Sequence, residues 1–329
     1  MIRRPATSAA APGGLGRFLA RRAGHGILVL WLVTTATFTL IHAAPGGPAV
    51  LADPKLTEVE RRAIERRLGI DQPVPVQYVR WHANLARGDL GNSFLYQTAA
   101  FATVLDRLPN TLLLVGLALA ASIALALPLG VYLAQRPGSW PDRLIGAVNF
   151  AALAIPTFWF GIVAILILAA RWRLLPAGGM VTPGEASLLD RLRHLLLPVA
   201  VLALPLSAEL IRFARSSVAA GLVAGHLAPA RARGLVRREL LRRHVLRNAL
   251  LPVLTAVGLQ VPILVGGAAV TETVFAWPGL GRLGVEAALG RDYPLVMAIA
   301  LVVATTVVIA NLALDLVYGW ADPRIRVRA

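Results

Sequence analysis

Apolar residues run in long blocks along this chain, and polar residues gather between the blocks. A bilayer core takes about 20 apolar residues wound as a helix. Six blocks meet that length, at roughly 25–44, 109–134, 144–170, 194–214, 247–271 and 294–319. The pattern predicts an all-α polytopic membrane protein with six transmembrane helices. Pro128, Pro156, Pro198, Pro205, Pro252 and Pro262 fall inside the blocks. Each removes a backbone N–H and favours a kink. Kinks in spans three and five suit helices that border a translocation path opening to either side. "IPTFWFG" at Ile155–Gly161 is the candidate lining piece, which makes Pro156, Thr157, Phe158 and Pro262 the candidate path residues.

The polar stretch 45–108 has its own pattern. "DPKLTEVERRAIERRLGI" reads as a helix, with Asp53 or Thr57 as its N-cap. Glu60 stands three residues after Thr57, the spacing of a capping box. "QPVPVQYVRWHANLARGDLG" reads as a second, shorter helical element that ends at a turn. The stretch is expected to cap the bundle from outside.

Composition supports the membrane reading. The chain has 329 residues, of which 57% are hydrophobic and 15% charged, with mean hydropathy +0.67. An ordinary soluble globule carries more charge. With no cysteine, neither disulfides nor thiolate metal sites are available. A net charge of +16 admits a nucleic-acid partner. Basic loops that orient membrane helices account for it better, so no nucleic-acid partner is expected. Arg3, Arg4, Arg17, Arg21 and Arg22 precede the apolar run from Ile27 to Ala44, and "HAAPGG" mimics a cleavage site. Because five more spans follow, the run is read as an uncleaved first helix.

Charge also orients the spans. With the N-terminus inside, 19 of the 33 basic residues and five of the 17 acidic ones fall on the inner side. The more basic side is the cytoplasmic one. Both termini are then cytoplasmic. The chain divides into a cytoplasmic segment 1–24, a first span 25–44, an extracytoplasmic segment 45–108, a membrane domain 109–319 and a cytoplasmic tail 320–329.

One cytoplasmic loop, about 216–247, is far longer than the roughly 2–8 residues that join neighbouring bundle helices. Seven arginines lie between Arg231 and Arg247. Gly234 splits the loop. Pro229 suits the first position of a short helix before it, and strong helix formers follow it. Val236 and Leu240 share one face of the second helix, Leu241 and Val245 another, so no apolar stripe emerges at a period of 3.6. A helix surrounded by a partner protein fits better than one lying on lipid.

Here the sequence resembles a known family. "ARARGL", followed by Pro252 in "NALLP", is similar to the coupling loop of ABC-transporter permease subunits. "RGDLGNS" at Arg87–Ser93, "RLPNTLLL" at Arg107–Leu114, "LLPAGG" at Leu174–Gly179, "ETVFAWPGLGRL" at Glu272–Leu283, "RDYPLV" at Arg291–Val296 and "DPRIR" at Asp322–Arg326, with "IPTFWFG", resemble the dipeptide/oligopeptide/nickel branch. The long external segment resembles the B-type member of its permease pair. The resemblance runs through nearly the whole chain after residue 25 and implies the type I ABC importer permease fold. It implies that Ala230, Arg231, Ala232, Arg233, Gly234, Leu235, Leu251 and Pro252 form the ATPase-coupling loop. It implies four kinds of neighbour: a second, homologous permease, two ATP-binding cassette subunits that bind ATP and Mg, an extracytoplasmic substrate-binding protein, and membrane lipid. The chain departs from the family pattern where His226, Ala228 and Pro229 occupy the usual aromatic, basic and hydroxyl positions of the loop. Residues before Gly24 carry none of the motifs and are expected to be disordered.

The chain shows no chemistry of its own. A P-loop needs a glycine-rich turn that ends in Lys-Ser/Thr, and the single lysine, Lys55, stands in "DPKLTE". Neither HExxH nor GxSxG occurs. The six histidines are scattered, with no helical ligand pair. Catalytic, cofactor-binding and metal residues are therefore expected to be absent. Glu209, Glu272 and Asp315 are placed near span ends, with Arg212 at i+3 as a partner for Glu209. An ion-coupled secondary transporter is the alternative. It would want a carboxylate near the midplane, and none is evident in the sequence.

Overall fold

A computed structural model describes residues 14–51, 54–185, 187–223, 232 and 234–321. Its elements are helical. Helix α1 spans Gly14–Ala43, α2 Glu58–Leu68, α3 Val74–Leu85, α4 Ala100–Ala134, α5 Trp140–Ala154 and α6 Thr157–Ala164. They are followed by α7 Leu188–Val223, α8 Arg237–Leu240, α9 Leu246–Val274, α10 Leu280–Leu289 and α11 Tyr293–Ala321. Two π-helical stretches extend this set, Ile165–Arg171 after α6 and Leu241–Val245 between α8 and α9.

Four helices cross a membrane unbroken by length and composition: Ala20–Ala43, Ala100–Ala134, Leu188–Val223 and Tyr293–Val317. Two bent pairs bring the number to six if each is one span. The six apolar blocks thus appear as helices, but the third is not one rod. Trp140–Ala154 and Thr157–Arg171 meet at 102°. The cause is Pro156. It offers no N–H to continue the ladder, and its ring pushes Ile155 out of the helical region, to φ −86° and ψ 126°. The fifth block is milder, with a 45° bend between Pro252–Gly266 and Ala268–Val274.

The start of the chain also differs from expectation. Helix α1 already runs at Gly14 rather than after Gly24. Its first turns are rich in Leu, Arg and Ala, which favour helix. Arg22 then bonds Asp315 on α11 at 2.5 Å. Farther along α1, Ile27, Leu28, Trp31 and Leu32 stay exposed, as a lipid-facing surface should.

The core lies where α4, α7 and α9 meet. Leu133, Leu210, Ala214, Val257 and Ala268 are buried there together. Helices α4 and α7 approach closely because Gly130 has no side chain. A Cβ at Gly130 would lie 2.5 Å from that of Ala214. Ser122 adds a polar tie across the same pair, donating to the carbonyls of Ala118 at 2.7 Å and Ala203 at 3.1 Å.

Outside the bundle, α2 begins as the sequence predicts. Thr57 is the N-cap, and both halves of the capping box with Glu60 are present. The Thr57 N–H donates to Glu60 Oε2 at 2.9 Å. That bond holds the Glu60 carboxyl below the ordinary carboxylate range. Gly69 closes α2 in the left-handed region, at φ 71°. Asp53, the other candidate cap, lies outside the described residues. Helix α3 is the second expected element.

Candidate functional site

The coupling loop is only partly described. Ala230, Arg231 and Arg233 lie outside the described residues, as do Pro229, Ala228 and His226. Ala232 is helical and exposed. Gly234 then turns the chain at φ 79°, with open space around its Cα. A glycine suits this turn because side chains disfavour that region. Leu251 and Pro252 lie in the first turns of α9, with Pro252 exposed.

Beyond Gly234 the chain packs against its own inner end. Leu240, Leu241, Val245 and Ala249 are buried with Ala134 of α4 and Val218 of α7, and Leu235 packs against them. The expectation of a helix surrounded by a partner is corrected here, because Leu240, Leu241 and Val245 are covered by this chain. Leu240 stands about 100° around the helix from Leu241 and Val245, so the buried set covers a broad arc and not a narrow stripe. Val236 remains 62% exposed. Gly221 on α7 leaves room for this packing, since a Cβ there would lie 2.8 Å from Val245 Cγ1. Arg215 on α7 donates to Asp142 on α5 at 2.8 Å, and Asp142 also accepts the Gly138 N–H at 2.9 Å. The segment after Gly234 is thereby in direct contact with the inner ends of α4 and α7.

The outer end is built from hydrogen bonds. Glu272, expected near an interface, has no exposed surface at all. It accepts from Thr111 Oγ1 at 2.6 Å and from the Arg282 N–H at 3.0 Å. Thr111 Oγ1 in turn receives the Leu280 N–H at 2.7 Å. Trp277 donates its indole N–H to the Asn110 carbonyl at 3.1 Å, while Asn110 Nδ2 donates to the Pro278 carbonyl at 2.8 Å. Thus "RLPNTLLL" and "ETVFAWPGLGRL" are two halves of one joint. Its glycines are spatial necessities. A Cβ at Gly279 would overlap the Glu272 carboxylate, and one at Gly281 would overlap the Ala269 backbone. "LLPAGG" joins them, as the Gly179 N–H donates to the Phe275 carbonyl at 2.8 Å.

A second joint unites "RGDLGNS" with "RDYPLV". Asp292 is fully buried and accepts from Ser93 Oγ and from the Leu95 N–H at 3.0 Å. Its other oxygen caps α11 through the Leu295 N–H at 3.1 Å. Nearby, Tyr96 donates to Glu286 at 2.9 Å, and Arg282 Nε reaches the same carboxylate at 2.9 Å. Burial, then the bond to Glu286, holds the Tyr96 hydroxyl above the ordinary phenol range. These partners could not be read from sequence, since Thr111 and Glu272 are 161 positions apart and Ser93 and Asp292 are 199 apart.

The candidate path residues divide. Pro156 and Phe158 are exposed at the break between α5 and α6. Thr157 lines a small cleft with Phe160, Val201, Leu204 and Pro205. Pro262 is partly buried on α9 and does not line that cleft. Glu209 does not pair with Arg212. Gln260 Nε2 on α9 donates to Glu209 Oε2, and the Arg212 guanidinium lies 5.9 Å from the centre of the Phe213 ring. Among the described residues, no group of His, Asp or Glu could hold a metal ion.

Known proteins resemble the chain along its length. Residues 126–327 match the family described as "Binding-protein-dependent transport system inner membrane component", and residues 15–115 match its N-terminal companion. The oligopeptide transport system permease protein AppB of Bacillus subtilis is 40% identical over 314 residues, covering 94% of this chain and 99% of that protein. The dipeptide transport system permease protein DppB of Escherichia coli is 35% identical over 334 residues, covering 94% and 98%. The inward-facing MetNI methionine ABC transporter shares the fold, with a TM-score of 0.53 at 20% identity over 67% of this chain and 96% of its own. Such relatives give no support to an ion-coupled carrier. The N-terminal match from residue 15 also agrees with α1 beginning before Gly24. The sequence, the bundle and these relatives together place the chain in the family of binding-protein-dependent transport system inner membrane components, as a multi-pass permease of an ABC importer.

Proposed function

We propose that this permease imports di- or oligopeptides, with ATP hydrolysed by partner subunits. The reading rests on the peptide permeases to which it is similar along nearly its whole length. A second, related permease would complete the pathway and give twelve spans. Two ATP-binding cassette subunits, which bind ATP and Mg, would dock at the two cytoplasmic loops. A substrate-binding protein would deliver peptide to the outer cap. No catalytic, cofactor-binding or metal residue is assigned to this chain.

Residues Ala230, Arg231, Ala232, Arg233, Gly234 and Leu235 are assigned to ATPase docking, with Leu251 and Pro252 at the return into α9. The observation that carries the assignment is the apolar junction just after Gly234. A segment held at one end by a partner and at the other by α4 and α7 passes displacement between them. Pro156, Thr157, Phe158 and Pro262 remain the assigned path residues. Thr157 is supported by its place in the cleft, and Pro262 by its place on the incompletely covered side of α9.

A pull-down in mild detergent tests the docking assignment, with the native chain beside Gly234→Arg. Open space around Gly234 means the variant meets no internal clash. Its left-handed turn costs a side chain about 1–2 kcal/mol. The native chain should recover an ATPase pair and a second permease, and the variant should lose the ATPases alone. Full recovery of ATPases by the variant would overturn the docking role.

A further inference from the structure

Glu209 has no part in either outer joint or in the inner junction. It lies on α7, a 36-residue helix. Within the apolar block 194–214, at 1.5 Å per residue, it lies about 7.5 Å from the midpoint and so inside a core about 30 Å thick. A carboxylate at that depth is costly. Such a group faces a protein interior or a water-filled cavity rather than lipid.

Its surroundings are open on one side. Gln260 Nε2 donates to one carboxylate oxygen and fixes its position, but a neutral amide leaves the charge in place. Among the described residues no cation is paired with Glu209. Along α7, Leu206, Leu210, Ala214 and Val218 are buried in the core, whereas Pro205, Glu209, Arg212 and Ser216 stay at least partly open. On α9, Thr255, Leu259, Pro262 and Gly266 are likewise open, Leu259 at 67%, so this face mixes polar and apolar groups, whereas α1 exposes an apolar set of Ile27, Leu28, Trp31 and Leu32. The cleft holding Thr157 and Pro205 lies one turn outward of Glu209 on the same side of α7.

We infer that Glu209, held by Gln260, is a counter-charge in the translocation path that favours peptides with a cationic side chain. The inference rests on the peptide reading above. A fixed negative charge in a weakly screened path attracts a passing cation and repels a passing anion of the same size. Carrying no cation of its own, it leaves that attraction available to substrate.

Reconstituted importer with its binding protein tests this. Uptake of Ala-Lys-Ala and Ala-Glu-Ala is measured as kcat/KM, and their ratio is compared between native and variant chains. The binding protein is the same throughout, so its own preference cancels. Glu209→Gln should lower the lysine-to-glutamate ratio about tenfold, a conservative share of the attraction between unit charges. Glu209→Asp keeps the charge and should restore most of the ratio. An unchanged ratio in Glu209→Gln, with both rates falling together or neither moving, would overturn the inference and leave the peptide reading standing. If the native importer takes up neither peptide, the peptide reading fails and the inference fails with it.

Discussion

At the outer end, Glu272 and Asp292 each accept hydrogen bonds from residues more than 150 positions away. At the inner end, Leu240, Leu241, Val245 and Ala249 hold their segment by apolar contact. The contrast is one of directionality. Hydrogen bonds in a buried joint demand one geometry, and losing a partner leaves a buried polar group unsatisfied. Apolar contacts are non-directional and tolerate sliding. An importer whose outer cap is fixed and whose inner junction can shift is suited to receive motion from the cytoplasm.

Four substitutions break or sharpen this contrast. The largest effect is expected from Gly281→Ala, because its Cβ would overlap the Ala269 backbone. Overpacking of this kind costs about 1–3 kcal/mol, and more where backbone must move. A lowered melting temperature in detergent should reveal it. Gly284→Ala is the control, since its Cβ would meet only Ile299 Cγ2 at 3.8 Å, and it should melt like the native chain.

Asp292→Ala comes next. It uncaps α11 and strands Ser93 Oγ and the Leu95 N–H, at a cost of about 1–3 kcal/mol. Proteolysis should then cut the loop around Leu95 earlier than in the native chain. At the inner junction, Val245→Ala removes two buried methyl groups, worth about 1.5 kcal/mol. Its stability loss should be smaller than that of Asp292→Ala, but peptide taken up per ATP hydrolysed should fall. Equal uptake per ATP would show that the apolar junction does not pass motion.

The smallest effect belongs to α2. Glu60 titrates below the ordinary carboxylate range because it accepts the Thr57 N–H. A lowered folded value gives stability above the unfolded value that is lost as pH falls through the folded one. Amide protection at the start of α2, taken relative to the intrinsic exchange rate at each pH, should therefore fall as pH drops below the usual carboxylate range. Glu60→Gln should flatten that dependence while the outer joints stay unchanged.

Legibility in the sequence followed the range of the interaction. The capping box of α2 was readable because Thr57 and Glu60 are three residues apart. The six apolar blocks were readable because a lipid-facing or buried helix declares itself residue by residue. Pro156 was visible as an interruption, but not the 102° turn it permits, since prolines 198 and 205 sit inside a helix that continues. Glu272 read as an ordinary span-end carboxylate, because its burial depends on Thr111 and on glycines that let α10 fold back over it. Glu209 reads as a partner of Arg212 three residues on, but its bond runs instead to Gln260 on α9, 51 positions away.

The π-helical winding at Leu241–Val245 has a consequence for register. Such a stretch holds one residue more than an α-helix of equal length would use. Rewinding it as α-helix would turn everything on one side by about 100° relative to the other and lengthen the segment by about 1.5 Å. The spare residue sits between Gly234 and α9, so a small change of pitch there would re-aim α9 without breaking it.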